Sequence, residues 1–129
     1  MPPSPAPCAN PLLRKLQLKP GQRAAVVHAP ETYESIASQI PGLQRELNGT
    51  FDFLHVFATR RDELLREGPQ WRRALEPNGV LWVSYPKGKS IPTDLNRDSV
   101  RATLAEVGLQ VVSQVAIDET WSALRAKPA

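Results

Sequence analysis

Two histidines, a serine followed closely by a lysine, and scattered basic side chains are the residues of this chain whose types bear on chemistry. His28 closes the short apolar run Arg23 to His28 (RAAVVH). A histidine at the end of a buried strand can act as a general base or donate a hydrogen bond to a ligand, and Glu31 or Asp118 is placed to orient it. The alternative is a histidine bonded to the backbone at the strand end. His55 lies inside FDFLHVF, among Phe53, Leu54, Val56 and Phe57, so a packed and hydrogen-bonded ring is expected there. Two histidines without a suitable carboxylate spacing, and Cys8 as the one cysteine, make no metal motif. Ser84 precedes Tyr85-Pro86-Lys87, but the G-x-S-x-G elbow and any triad order are missing, so a serine nucleophile is rejected.

Arg60, Arg61, Arg66, Arg72 and Arg73 gather positive charge on one helical region around Trp71. Glu63 and Glu67 are interspersed at spacings that allow salt bridges, which points to a solvated helix face. Lys+Arg 16 against Asp+Glu 13 leaves a net charge of +3. That excess is small for a dedicated nucleic-acid binder, and stacking aromatics are sparse, so a nucleic-acid partner is disfavoured.

These side chains need elements to hold them. Residues 1 to 9 (MPPSPAPCA) read as a proline-rich, disordered or extended tail, and residues 10 to 129 as a single domain. Asn10 and Pro11 start a short helix carrying Leu12, Leu13 and Leu16, ended by Pro20 and Gly21. RAAVVH is the first strand, covered on both faces. Pro30 opens a helix in which Tyr33, Ile36, Ala37 and Ile40 fall at helical spacing, stopped by Pro41 and Gly42. Leu43 to Asn48 leaves both a helical turn and a short edge strand open.

Phe51 to Phe57 is the second strand. Arg60 to Leu75 is helical, and Gly68-Pro69 predicts a break into two shorter helices. Glu76-Pro77-Asn78-Gly79 is a turn leading into Val80 to Ser84 (VLWVS), the third strand. Pro86 to Pro92 is a basic loop, Asn96 caps a helix carrying Val100, Leu104 and Val107, and Gly108 ends it. Leu109 to Ile117 and Trp121 to Ala126 form a closing strand pair joined by Asp118-Glu119-Thr120. If the last strand lies beside the third, that acidic turn can pair by charge with the Lys87 and Lys89 loop. Strands alternating with helices predict an α/β, Rossmann-like three-layer sandwich, mainly parallel, with an antiparallel C-terminal pair.

No apolar run approaches the roughly 18 residues of a membrane span, so a membrane partner is not expected and a cytoplasmic setting is. The absence of further cysteines excludes an internal disulfide framework.

LKPGQRAAVVHAP, FDFLHVF and RRALEPNGVLWVS resemble, in turn, the lead-in to the first strand, the fourth strand, and the approach to the fifth strand of an S-adenosylmethionine-dependent methyltransferase fold. The sheet this resemblance implies is a truncated one. VLWVSYPKGKS, TDLNRDSV and AIDETWSALR together resemble a family of small bacterial proteins of unknown function. That second resemblance implies the same fold and a bacterial cytoplasmic setting, and brings no cofactor or catalytic residue with it. Against the methyltransferase pattern, Val26 stands at the acidic position, and His28 and Pro30 stand where glycines would let the cofactor approach. Glu46 is the one acidic residue near the position that would bind the ribose hydroxyls. Ala58-Thr59-Arg60 replaces the usual catalytic or substrate segment.

Ligands of open α/β sheets bind outside the carboxyl ends of the strands. That rule selects His28, Glu31, Tyr33, Thr59, Arg60, Tyr85, Lys87 and Lys89 as the candidate binding site. Its basic residues suit a small anionic ligand or a nucleotide. The expected function is a ligand-binding or protein-interaction module that has lost methyl transfer. The alternative is a small enzyme, either a divergent methyltransferase or a catalyst on a small anion with His28 as base and Lys87 or Arg60 stabilising charge. A homodimer through the first strand or through Leu43 to Asn48 would cover an exposed sheet edge.

Overall fold

Apolar runs too short for helices and flanked by turn residues become strands, and here they build one five-stranded sheet. The computed structural model describes residues 11–19, 21–88 and 91–128. The expected tail, the cap Asn10 and the candidate Lys89 lie outside the described residues. The strands are β1 (Ala24–Val27), β2 (Phe51–Phe57), β3 (Leu75–Pro86), β4 (Leu109–Ala116) and β5 (Trp121–Pro128). The helices are α1 (Pro11–Lys15), α2 (Glu34–Ala37, entered through a 3-10 turn at Glu31–Tyr33), α3 (Arg61–Arg73) and α4 (Arg97–Glu106). The order across the sheet is β1-β2-β3-β5-β4. β1, β2 and β3 run parallel, and β5 is antiparallel to both of its neighbours. The class expected from the sequence is the class observed.

Alternation along each strand divides the core into two layers. On one face, Leu64 and Trp71 of α3 and Val100 and Leu104 of α4 pack on Leu54, Val56, Leu81, Val83 and Leu124. On the other, Leu13 from α1, Leu16 just after it, and Tyr33 and Ala37 from the α2 region pack on Val26, Phe53, Phe57, Trp82 and Trp121. β2 and β3 are therefore covered twice, which is why their sequences read as continuous apolar runs rather than as alternation.

Leu43 to Asn48 is neither helix nor strand. One parallel bridge joins Gln44 to Ala25: Val26 N–H donates to the Gln44 carbonyl and Gln44 N–H to the Ala24 carbonyl, each at 3.0 Å. Leu43 packs with the α1 and α2 layer, whereas Leu47 packs with the α3 and α4 layer, so the segment wraps the outer edge of β1. The detour has a topological reason. Direct crossovers β1 to β2 and β2 to β3 run the same way along the sheet, and with helices on opposite faces they would have opposite hands. Passing outside β1 at Gln44 lets both crossovers keep one hand.

Three expectations are corrected. α3 runs unbroken through Gly68 and Pro69, because packing holds it where propensity would not. Leu64 and Trp71 are buried on either side, and a Cβ at Gly68 would lie 2.8 Å from Val107 Cγ2, so the glycine lets α3 approach α4 closely. The helix expected after Pro30 is cut down to the 3-10 turn and the four residues of α2. The third strand starts earlier, at Leu75. Phe51 pairs with Leu75 and Phe53 with Val80, and Glu76-Pro77-Asn78-Gly79 is extruded between these two pairs.

Turn chemistry elsewhere is as expected. Asn96 Oδ1 accepts from Ser99 N, and Ser99 Oγ accepts from Asn96 N, each at 2.9 Å. Gly108 ends α4 with φ +81°. Asp118 Oδ1 accepts from Thr120 N at 2.7 Å and Trp121 N at 2.8 Å, which closes the β4–β5 turn.

Candidate functional site

The strand register brings three chain exits side by side. Val27 pairs with Val56, and Phe57 with Ser84, so His28, Ala58 to Arg60, and the end of β3 at Tyr85 and Pro86 with the following Lys87 lie at one common edge of the sheet.

His28 leaves β1 with φ +60°, a left-handed conformation that costs a side-chain-bearing residue about 1 kcal/mol or more and costs glycine little. The backbone thus keeps a glycine-like turn while presenting an imidazole. The orienting carboxylate is Glu67 on α3, whose Oε1 lies 3.1 Å from His28 Nε2, rather than Glu31 or Asp118. Asp118 is committed to its own turn. Glu31 starts the 3-10 turn and is exposed. The His28 side chain is 54% exposed against 20% for Glu67, and Arg66 Nη2 stands 3.8 Å from the other Glu67 oxygen. Sequence reasoning placed Glu67 among helix-surface pairs; its partner is 39 positions away.

At the end of β2 the chain satisfies itself. Glu63 Oε1 accepts from Thr59 N at 2.9 Å, Arg60 N at 3.0 Å and Thr59 Oγ1 at 3.2 Å. Asp94 Oδ1 accepts from Arg61 N at 2.8 Å, and Thr93 Oγ1 donates to the Thr59 carbonyl at 2.5 Å. The chain's own carboxylates therefore take donors at the positive end of α3 that an external anion would use. The Arg60 side chain is exposed.

At the end of β3, Tyr85 is buried in the α3 and α4 layer. Lys87 is half-buried, and its N–H donates to the Thr120 carbonyl at 2.8 Å. The expected tie between this loop and the acidic turn thus forms through backbone, not through a Lys87 ion pair. Among the described residues neither Arg60 nor Lys87 has a carboxylate within 4 Å.

Tyr33 sits in the core rather than at the edge. Its hydroxyl is 3.0 Å from His55 Nδ1, and His55 Nε2 is 2.6 Å from Ser84 Oγ. The ring of His55 stacks on Phe57 at 4.3 Å. Burial pushes the His55 imidazole down to about 3 and the Tyr33 phenol above its usual range. Serine, histidine and a third orienting group are connected here as in a nucleophilic triad. The line is sealed from solvent, however, and its histidine is too weakly basic to take a proton from serine near neutrality. Its role is to tie the turn that follows His28 to β2 and β3.

Two clefts on the described surface escaped the sequence reading: one is formed by the way α4 folds back on β4, the other by segments distant in the chain. One, of about 350 Å³, lies between α4 and β4. The other, of about 230 Å³, is lined by Leu47, Gly49, Gln70, Arg73 and Ala74. Among the described residues no three His, Cys, Asp or Glu side chains converge as metal ligands, and no helix is long and apolar enough to cross a membrane.

No family model matches the chain, and no curated protein is significantly similar to it in sequence. Solved structures are similar in fold. A SAM dependent methyltransferase from Aquifex aeolicus superposes with a TM-score of 0.66 at 15% identity, covering 90% of this chain and 87% of that one. The mitomycin 7-O-methyltransferase MmcR gives 0.64 at 12% identity, covering 84% of this chain and 50% of that one. A structure described as a pericyclic reaction enzyme gives 0.58 at 12% identity, covering 95% of this chain and 40% of that one. The chain thus spans half the length of MmcR, and at these identities the likeness concerns the fold alone. Strand order, the antiparallel closing pair and these superpositions together give the chain the fold of the S-adenosylmethionine-dependent methyltransferases, in a five-stranded form.

Proposed function

We propose that the protein is a binding module for a small anionic ligand or nucleotide, held at the carboxyl edge of β1, β2 and β3, and that it does not transfer methyl groups. One observation carries the reading: Arg60 and Lys87 leave neighbouring strand ends with no carboxylate partner among the described residues, beside the half-exposed His28. Unpaired cations at that edge are what an anionic ligand needs, and a basic protein attracts one. The loss of methyl transfer is inferred from the turn after β1, where the resemblance to the methyltransferase pattern implies glycines that would admit the cofactor and this chain carries His28, in a left-handed backbone, and Pro30. The fold does not oblige methyl transfer, since it also serves a protein described as a pericyclic reaction enzyme. From the resemblance of its C-terminal segments, the proposed setting is the bacterial cytoplasm.

The test measures thermal shifts with S-adenosylmethionine, S-adenosylhomocysteine, a nucleotide panel and inorganic phosphate. Stabilisation by nucleotides or phosphate, abolished in His28→Ala and Lys87→Ala variants that melt within a few degrees of the parent, is the expected result. Stabilisation by an S-adenosyl compound would revive the methyltransferase. A severe loss of stability in both variants would show that these residues are structural.

The second reading is an enzyme acting on a small anion, favoured by the His28–Glu67 pair. Glu67 holds Nε2, which leaves Nδ1 as the basic nitrogen. Turnover lost in Glu67→Gln with ligand affinity kept would select it.

A further inference from the structure

The far edge of the sheet is β4, which pairs with β5 on one side and with no described strand on the other. Along its outer side the main-chain N–H and C=O groups are open to pairing. Leu109 to Ala116 (LQVVSQVA) contains no charged residue, proline or glycine, so the usual devices that blunt an open edge by side chain are missing. Val112 on this strand is 41% exposed, the one large hydrophobic residue so exposed among those described. Beside the edge runs the cleft of about 350 Å³, lined by Arg101 and Ala105 from α4 and Leu109, Gln110 and Val111 from β4. Arg101 is exposed, with no carboxylate within 4 Å among the described residues.

An open strand edge, an apolar cleft next to it and a lone guanidinium at its rim are the three parts of a surface that binds a peptide by strand addition. We propose that β4 and α4 bind a short extended segment of a partner protein. The segment adds a strand to β4, seats an apolar side chain in the cleft and sets an acidic side chain against Arg101. Main-chain bonds supply affinity, and the cleft and the charge supply the choice of sequence.

Two observations favour such a segment over a second copy of this chain. The pairing of β4 with β5 shifts between Val111 and Ser113, and a bulge there interrupts a long ladder of β4 with its own copy while leaving room for a few residues of peptide. A second copy also brings the same net charge of +3 and no acidic residue on its β4, whereas an acidic peptide is drawn to Arg101. This surface is at the edge of the sheet opposite β1 and does not depend on the carboxyl-edge reading.

The probe is the blocked peptide acetyl-Glu-Val-Thr-Val-Glu-amide, titrated to millimolar concentration into the 15N-labelled protein, with the same peptide carrying lysine for glutamate as its counterpart. Amide shifts confined to residues 101 to 116, binding at least about tenfold weaker for the lysine peptide, and reversal of that preference in Arg101→Glu are expected. Arg101→Glu should melt with the parent, since Arg101 is exposed and has no ion pair among the described residues. Equal binding of both peptides, or shifts elsewhere, or none at all, would overturn the proposal. So would concentration-dependent shifts along β4 without peptide that vanish in Val112→Lys, which would give the edge to a second copy.

Discussion

The imidazole Nε2 of His55 meets the Ser84 hydroxyl at 2.6 Å inside the sheet, where neither side chain reaches solvent. Tyr33 occupies the other ring nitrogen, so every polar atom of the ring has a partner while the ring stays neutral. Adding a proton would put an uncompensated charge into the core.

A pH dependence follows. The folded-state value of about 3 lies below the unfolded value of 6.5, so the folded state binds fewer protons than the unfolded state between them. The stability contributed by neutral His55 is whole above 6.5, declines as pH falls and levels off near 3. The slope approaches about 1.4 kcal/mol per pH unit below 6.5. Urea unfolding between pH 7 and 5 should show this decline, and His55→Gln, less stable at pH 7, should show a shallower one. The same slope in both proteins would refute the assignment.

Gly68 is required by the distance between α3 and α4. A methyl group there meets Val107 Cγ2 at 2.8 Å and Val107 Cβ at 3.3 Å, so Gly68→Ala should cost about 1–3 kcal/mol despite the better helix propensity of alanine. In a Val107→Ala background the same change should be neutral or stabilising by up to about 1 kcal/mol. Additivity of the two substitutions in chemical denaturation would count against the contact.

Trp82 and Trp71 are both buried, but only one has its indole N–H satisfied. Trp82 Nε1 donates to the Leu16 carbonyl at 2.7 Å, tying the segment after α1 to β3, while Trp71 Nε1 is buried with no partner among the described residues. Trp82→Phe loses that bond and strands a carbonyl, whereas Trp71→Phe removes an unsatisfied donor. The first should therefore be more destabilising by about 1–2 kcal/mol, read as a difference between two unfolding midpoints. Equal costs would mean that ring volume alone decides both.

Much of the fold was legible because it rests on local chemistry. RAAVVH, FDFLHVF and VLWVS are strands since short apolar runs bounded by turns bury well as extended chain, and Asn96 and Gly108 bound α4 while Asp118 closes the β4–β5 turn through backbone bonds they make themselves. Where several weak signals compete, reading along the chain was not enough. Leu43 to Asn48 holds one bridge to β1 and divides its two leucines between opposite faces, a pattern with no period. Pro69 sits inside α3 because buried neighbours outweigh a lost hydrogen bond.

The candidate site divides the same way. Strand ends and their order placed His28, Arg60 and Lys87 at one edge. Glu67 as the partner of His28, the closure of the first turn of α3 by Glu63 and Asp94, and the withdrawal of Tyr33 into the core all needed the tertiary structure. The sequence by itself determined where most strands and helices lie, since periodicity, caps and turn residues act over a few positions. Only the tertiary structure decided which side chains meet across the sheet, which cations stay unpaired and which edge stays open, because those depend on contacts between residues far apart in the chain.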